Sequence, residues 1–201
     1  LGSRGLGDVY KRQIVEQLTE KKPVYNLDPV LTYDYMNCCD KIPQLRVDEK
    51  YLILYAYAGR ISNEEADWIA AYAKKKNLKV YAIGGIQKCA DRFVDCSPFE
   101  VLAYFRNAEE VITDTFHGSI FSVITHRPFT TLIRKSVGNS YGNEEKLSDL
   151  LERLDLADRM TAKVEDAENI NEETIDYAKV DELLKAHREV AKEYLRSNLE
   201  G

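Results

Sequence analysis

The chain has 201 residues, 44% hydrophobic and 31% charged, a composition that excludes intrinsic disorder and suits one compact domain with attachments. A formal net charge of −6 argues against a general nucleic-acid binder, which carries a basic stripe, but leaves room for a local cationic cleft. The longest apolar runs, such as residues 51–58, are far too short to span a bilayer, and no signal-peptide pattern is visible.

Residues 1–13 read as a foreign or disordered tail. The first seven are glycine-rich without periodicity, and Asp8 to Gln13 translates GATGTGTATAAGAGACAG, which resembles a transposon adapter used in library preparation. The chain is therefore expected to be a fragment of a longer gene product. Residues 14–22 read as the tail of a helix. Pro23 and Pro29 predict an extended stretch over 24–32, because proline lacks an amide donor and disfavours helix before it. Residues 33–49 read as a linker or short helix, so that 14–50 would be the remnant of an upstream domain.

From Tyr51 the pattern becomes regular. The run Tyr51 to Tyr57 predicts a strand buried on both faces. Ser62 stands three residues before Glu65, a capping-box signature, and a helix follows over 64–76 with Lys74, Lys75 and Lys76 where cations suit the dipole. Residues 78–83 predict a second strand, closed by Gly84 and Gly85. That pair lacks the GxGxxG pattern and reads as a plain turn. Ser97, Pro98 and Glu100 open a helix reaching Asn107. A third strand is predicted over 110–114, a helix over 116–126 and a fourth strand over 128–134. A loop with Gly138, Asn139, Gly142 and Asn143 leads to a helix over 145–154, and one long charged helix over 171–199 closes the chain.

Strands alternating with helices predict an α/β fold, a Rossmann-like parallel sheet flanked by helices, occupying 51–199. Ligands of such sheets bind beyond the carboxyl ends of the strands. The segment following the third strand is Asp114-Thr115-Phe116-His117-Gly118-Ser119. It offers an imidazole at a strand-to-helix turn, and the amides of Gly118 and Ser119 as donors to a phosphate or carboxylate at the helix start. A structural reading stands beside it: Asp114 or Thr115 caps the helix, and His117 and Gly118 serve packing. Cys38, Cys39, Cys89 and Cys96 have no metal-site spacing and read as reduced thiols; no metal is expected, and His126 and His187 are isolated.

The stretch from Asn107 to Phe129, NAEEVITDTFHGSIFSVITHRPF, closely resembles the polysaccharide pyruvyl transferase family, whose members carry NA-x-x-VITDSFHGT-x-FS followed by a Lys-Pro-Phe-type strand. Residues 143–151 and 154–159 resemble that family's N-x-R-x-x-LL and LGL-x-DR region, and Asp28-Pro29-Val30 its DP segment. The resemblance implies one half of a GT-B-like two-domain enzyme that transfers pyruvate from phosphoenolpyruvate to a sugar of a cell-surface polysaccharide precursor. It implies no cofactor beyond that donor. Its partners would be a missing N-terminal domain and a sugar or lipid-linked oligosaccharide acceptor, with no nucleic acid. The compartment would be the cytoplasm or the inner face of its membrane, and the fragment alone is expected to be inactive.

His117 matches the family histidine, as general acid or phosphate ligand. Asp114 is a second catalytic candidate, orienting His117 or capping the turn. Thr115, Gly118, Ser119, Arg134 and Lys146 are candidates for substrate binding. Two positions depart from the family: some relatives carry arginine where Thr115 stands, and many carry arginine where Lys146 stands. The alternatives are a nucleotide-sugar glycosyltransferase half of GT-B type and a non-catalytic anion-binding Rossmann-like module.

Overall fold

The computed structural model describes residues 8–19, 26–135 and 143–199, with side chains from residue 14 onward. Six strands form one parallel sheet: β1 (Tyr51–Tyr55), β2 (Lys79–Ile83), β3 (Arg92–Phe93), β4 (Glu110–Thr113), β5 (Phe129–Leu132) and β6 (Met160–Thr161). Their spatial order is β3-β2-β1-β4-β5-β6. The chain thus builds outward from β1 on one side, then crosses to build outward on the other, the doubly wound arrangement that opens a crevice where the order reverses.

Successive residues of the strands feed opposite faces, as the period of two requires. Tyr51, Ile53, Tyr81, Val111 and Phe129 enter one core, with Leu102, Phe105, Ile120 and Leu184 of the helices. Leu52, Leu54, Val80, Ile112 and Leu132 enter the other, with Ile69, Tyr72 and Ala73. Burial on both faces is why β1 reads as an unbroken apolar run rather than an alternation.

The helices are α1 (Asp8–Thr19), α2 (Pro29–Thr32), α3 (Tyr35–Cys38), α4 (Asn63–Lys75), α5 (Pro98–Asn107), α6 (Phe116–Ile124), α7 (Glu144–Arg153), α8 (Ala167–Glu172) and α9 (Tyr177–Leu199). No described helix is long and apolar enough to cross a membrane. Both expected capping boxes form: Ser62 accepts from the Glu65 amide at 3.2 Å while Glu65 accepts from the Ser62 amide at 2.9 Å, and Ser97 and Glu100 repeat the exchange.

Four expectations are corrected. Residues 8–13, expected to belong to an adapter-derived or disordered tail, are helical, since α1 begins at Asp8; the stretch 8–19 holds no glycine or proline to interrupt it. Residues 29–32 are a helical turn, not extended chain. Asp28 accepts from the Val30 amide at 2.9 Å, and Pro29 takes the first helical position, where its missing N–H costs nothing. The part of the extended prediction that falls on residues 24–25 lies outside the described residues. The packing also draws no boundary at residue 50. Leu27, Leu31 and Ile42 lie in the main core, and Arg188 of α9 donates to the Leu31 carbonyl at 2.9 Å.

The long closing helix is two helices. Arg159, only 2% exposed, donates to the carbonyls of Ile170 and Glu173 just where α8 stops. Asp176 then caps α9 by accepting from the Lys179 amide at 3.2 Å. The short β3 and β6, at the two sheet edges, carry too few residues to leave a pattern in the sequence.

Replacing Ser62 by alanine removes one cap acceptor from α4 and is expected to cost about 1 kcal/mol. It should appear as a lower urea midpoint with an unchanged slope.

Candidate active site

Strands β1 and β4 are neighbours, with Tyr55 level with Thr113, so their carboxyl ends flank the point where the sheet order reverses. Two loops meet there. One follows β1 and carries Tyr57 and Arg60; the other is the turn from β4 into α6. Thr113 pins them together, its hydroxyl donating to the Tyr55 carbonyl at 2.8 Å.

The first loop is held from the far side of β2. Gly84 takes φ +84°, a conformation natural to glycine, and a side chain at Gly85 would meet the backbone nitrogen of Ala58 at 2.3 Å. Buried Gln87 donates to the carbonyls of Ala56 and Tyr57 at 3.0 and 3.3 Å. The glycine pair therefore lets the loop after β2 lie against the loop that presents Arg60.

The second loop resolves which side chain caps α6. Thr115 accepts from the Gly118 amide at 2.9 Å, and its own amide donates to Thr113 Oγ1 at 3.1 Å. Gly118 is obligatory for the approach: an added Cβ would lie 2.0 Å from Thr113 Oγ1. The Ser119 amide donates to the Thr115 carbonyl at 3.3 Å. The expected anion cradle of the Gly118 and Ser119 amides is therefore corrected, since the cap already occupies both. In its place stand the amides of Phe116 and His117, the first two positions of α6. These have no acceptor among the described residues, as helix geometry dictates.

Other expected residues sort themselves by orientation. Ser119 is fully buried and shares a hydrogen bond of 2.9 Å with Thr131 Oγ1, so its side chain serves helix–sheet packing. Thr115, 4% exposed, is consumed by the cap. Arg134 points to α4, where its Nη1 lies 2.6 Å from Glu65 Oε1. Its Nε and Nη2 are buried without a hydrogen-bond partner among the described residues.

His117, by contrast, is exposed and lines a cavity of about 250 Å³ at the strand ends. Tyr57, Arg60, Asp114, Phe116 and Lys146 share that cavity's wall. Lys146, on α7, sets its ammonium 4.3 Å above the Phe116 ring. Arg60 lies against the Tyr57 ring, 5.3 Å from its centre.

Asp114 has neither of the roles expected of it. It does not cap the helix, and it makes no hydrogen bond to His117. Its carboxylate is completely buried, and both oxygens lack a hydrogen-bond partner among the described residues. Arg60 Nη1 stands 3.6 Å from Oδ2, within ion-pair range but beyond hydrogen-bond range. Burial drives the Asp114 carboxyl above the ordinary carboxylate range, opposed by the positive charges of Arg60 and Arg134.

Three residues of this site escaped the sequence reading. Arg60 sits in an unpatterned loop. Glu65 announces itself in the sequence only as a cap residue, yet its second oxygen holds Arg134. Asn143 accepts from the Arg134 amide at 2.6 Å and donates to the carbonyls of Asp114 and Leu132 at 2.6 and 3.2 Å. It thereby ties the ends of β4 and β5 to the start of α7. The glycines at 138 and 142 in the intervening loop lie outside the described residues.

The family model for polysaccharide pyruvyl transferase matches residues 8–136. The chain belongs to that family. No curated protein matches it. Among solved structures, this pyruvyl transferase family member is similar to the glycotransferase of kitacinnamycin, with 10% identity and a TM-score of 0.51. That match covers 87% of this chain and 47% of the other. An O-GlcNAc transferase mutant of Thermobaculum terrenum is similar at 16% identity with a TM-score of 0.48, over 82% and 35%. The chain thus spans less than half the length of either. What the first of them shares is the fold, a Rossmann-like sheet of the kind found in GT-B transferases.

Two substitutions probe the site's construction. Gly118→Ala forces Thr113 and the cap apart and is expected to lower stability by about 1–3 kcal/mol, read by thermal unfolding. Asp114→Asn should behave oppositely as pH rises. A raised carboxyl pKa contributes stability fully below the unfolded value, and that contribution is lost as pH climbs through the folded value. The variant should therefore gain stability relative to the native chain between pH 4.5 and pH 7.5. Urea unfolding at both values checks this, and a pH-independent difference contradicts it.

Proposed function

We propose that the chain is the donor-binding half of a transferase that moves pyruvate from phosphoenolpyruvate onto two hydroxyls of a sugar in a polysaccharide precursor. The observation that carries this reading is the cavity at the sheet's reversal point. There an exposed imidazole, a guanidinium, an ammonium and two unoccupied helix amides converge. Such a group suits a small, highly charged anion with phosphate and carboxylate ends. A volume of about 250 Å³ also suits a three-carbon phosphate better than a nucleotide-sugar. The glycosyltransferase alternative keeps only the shared fold in its favour.

The reaction sets definite demands. The methylene carbon of the donor takes a proton, the adjacent carbon acquires oxocarbenium character, and a first sugar hydroxyl adds to it. Phosphate then leaves, and a second hydroxyl closes the ketal. The two hydroxyl protons are balanced by the new methyl hydrogen and by the proton on the released phosphate. Arg60, Lys146 and the amides of Phe116 and His117 would hold the anionic ends of the donor. His117 is exposed at the cavity wall and would exchange protons with the reacting atoms. The acceptor sugar and a second Rossmann-like half would close the cleft from the open side.

The test is phosphate release from phosphoenolpyruvate with candidate sugars, in an enzyme carrying both halves. His117→Ala should reduce turnover by about 10²-fold or more while leaving the unfolding temperature in place. Turnover equal to that of the native enzyme would remove His117 from the chemistry. Nucleotide-sugar turnover in place of phosphoenolpyruvate turnover would favour the glycosyltransferase alternative.

A further inference from the structure

The buried carboxylate at the floor of the cavity is a problem for an anion site. Asp114 is sealed from solvent, accepts no hydrogen bond among the described residues, and faces the same space into which an anionic donor would have to come. Its ion-pair partner Arg60 is 30% exposed in its side chain and is carried on a loop, so it can reach either the carboxylate or a ligand. At 3.6 Å the present contact lacks the short, directed geometry of a charge-assisted hydrogen bond.

We propose that Arg60 is an anion-binding side chain, and that its transfer from Asp114 to an incoming anion makes Asp114 take up one proton from solvent. Two changes then act on the carboxylate in the same direction. It loses its nearest positive neighbour and gains a negative charge in front of it, and both favour the neutral acid. Burial already pushes the group that way.

The other charged groups that face this space are accounted for. Arg134 stays held by Glu65 Oε1 at 2.6 Å, so its position beside Asp114 is fixed by α4. Glu65 itself opposes ionisation of Asp114. His117 and Lys146, from α6 and α7, lie on the cavity wall and join Arg60 in meeting the anion. The protonated carboxyl is not asked to perform chemistry. It is a positioning group whose neutralisation removes the repulsion that an ionised Asp114 would exert on a multiply charged donor. Only the identity of the natural anion rests on the pyruvyl transfer reading.

Sulfate separates the two ideas, because it binds as an anion but does not itself titrate near neutral pH. Calorimetric titration of the chain with sulfate at pH 7, in buffers of different ionisation enthalpy, reads protons taken up per anion bound. The native chain should show net uptake. Asp114→Asn should bind sulfate with that uptake lowered by about one proton per anion, the share of Asp114. Arg60→Gln should weaken sulfate binding about tenfold or more, the loss of one charge-assisted contact.

Infrared difference spectra of the native chain give a second measurement that needs no variant: sulfate should bring in the carbonyl stretch of a protonated carboxylic acid. Undiminished uptake in Asp114→Asn, native affinity in Arg60→Gln, or no saturable sulfate binding would each overturn the proposal. Sulfate-linked uptake at Asp114 in a protein that never turns over phosphoenolpyruvate would leave this inference intact and sink the pyruvyl reading.

Discussion

Burying a carboxylate without a hydrogen bond is among the costlier choices a protein can make, because the charge loses its water and receives nothing equivalent. Here that cost sits on Asp114, at the one place where a doubly wound sheet opens a crevice. The neighbouring structure is arranged around it. Thr113 and Thr115 fix the turn that buries it, Asn143 holds its carbonyl, and Arg60 and Arg134 supply the opposing charge. Strain of this kind survives where the surrounding contacts overdetermine it, and it marks the crevice as more than a packing defect.

Those contacts also bind three strand ends into one unit. Glu65 uses one oxygen to complete the cap of α4 and the other to hold Arg134 beyond β5. Asn143 links the end of β4 to the end of β5, and Thr113 links β4 to β1. Each side chain serves local structure and site geometry together. The turn of His117 and Gly118 is consequently placed by residues far apart in sequence, and its precision comes from rigid strands rather than from the loop itself.

Much of this was legible in the sequence where a short-range rule applied. The continuous apolar run at Tyr51, the paired Ser62–Glu65 and Ser97–Glu100 motifs and the Asp114 to Ser119 segment all declare themselves within a few residues. The family signature singles out His117, which is exposed at the cavity wall. What stayed hidden depends on tertiary context. Asp28 and Pro29 carry the signs of a helix start, but these compete with proline's disfavouring of helix before it, and only the Asp28–Val30 hydrogen bond decides between them. The end of α8 is set by Arg159 reaching across from another element, which no periodicity reveals. The free amides proved to be those of Phe116 and His117 rather than Gly118 and Ser119. The question was decided by which side chain caps the helix, and both Asp114 and Thr115 are competent caps in isolation.

The departures from the family pattern acquire a physical meaning in this light. The threonine at 115 provides the hydroxyl that closes the cap of α6. The guanidinium missing from that position stands in the same cavity on Arg60, delivered by the loop after β1. Lys146 in place of arginine gives a point charge on a flexible stem, steadied by the Phe116 ring at 4.3 Å. The positive charge at the crevice thus comes from one loop, with Arg60, and one helix, with Lys146. A guanidinium fixed in the turn could not leave its carboxylate, whereas Arg60 stands on a separate loop from Asp114, so the two can part without disturbing the cap that holds His117 in place.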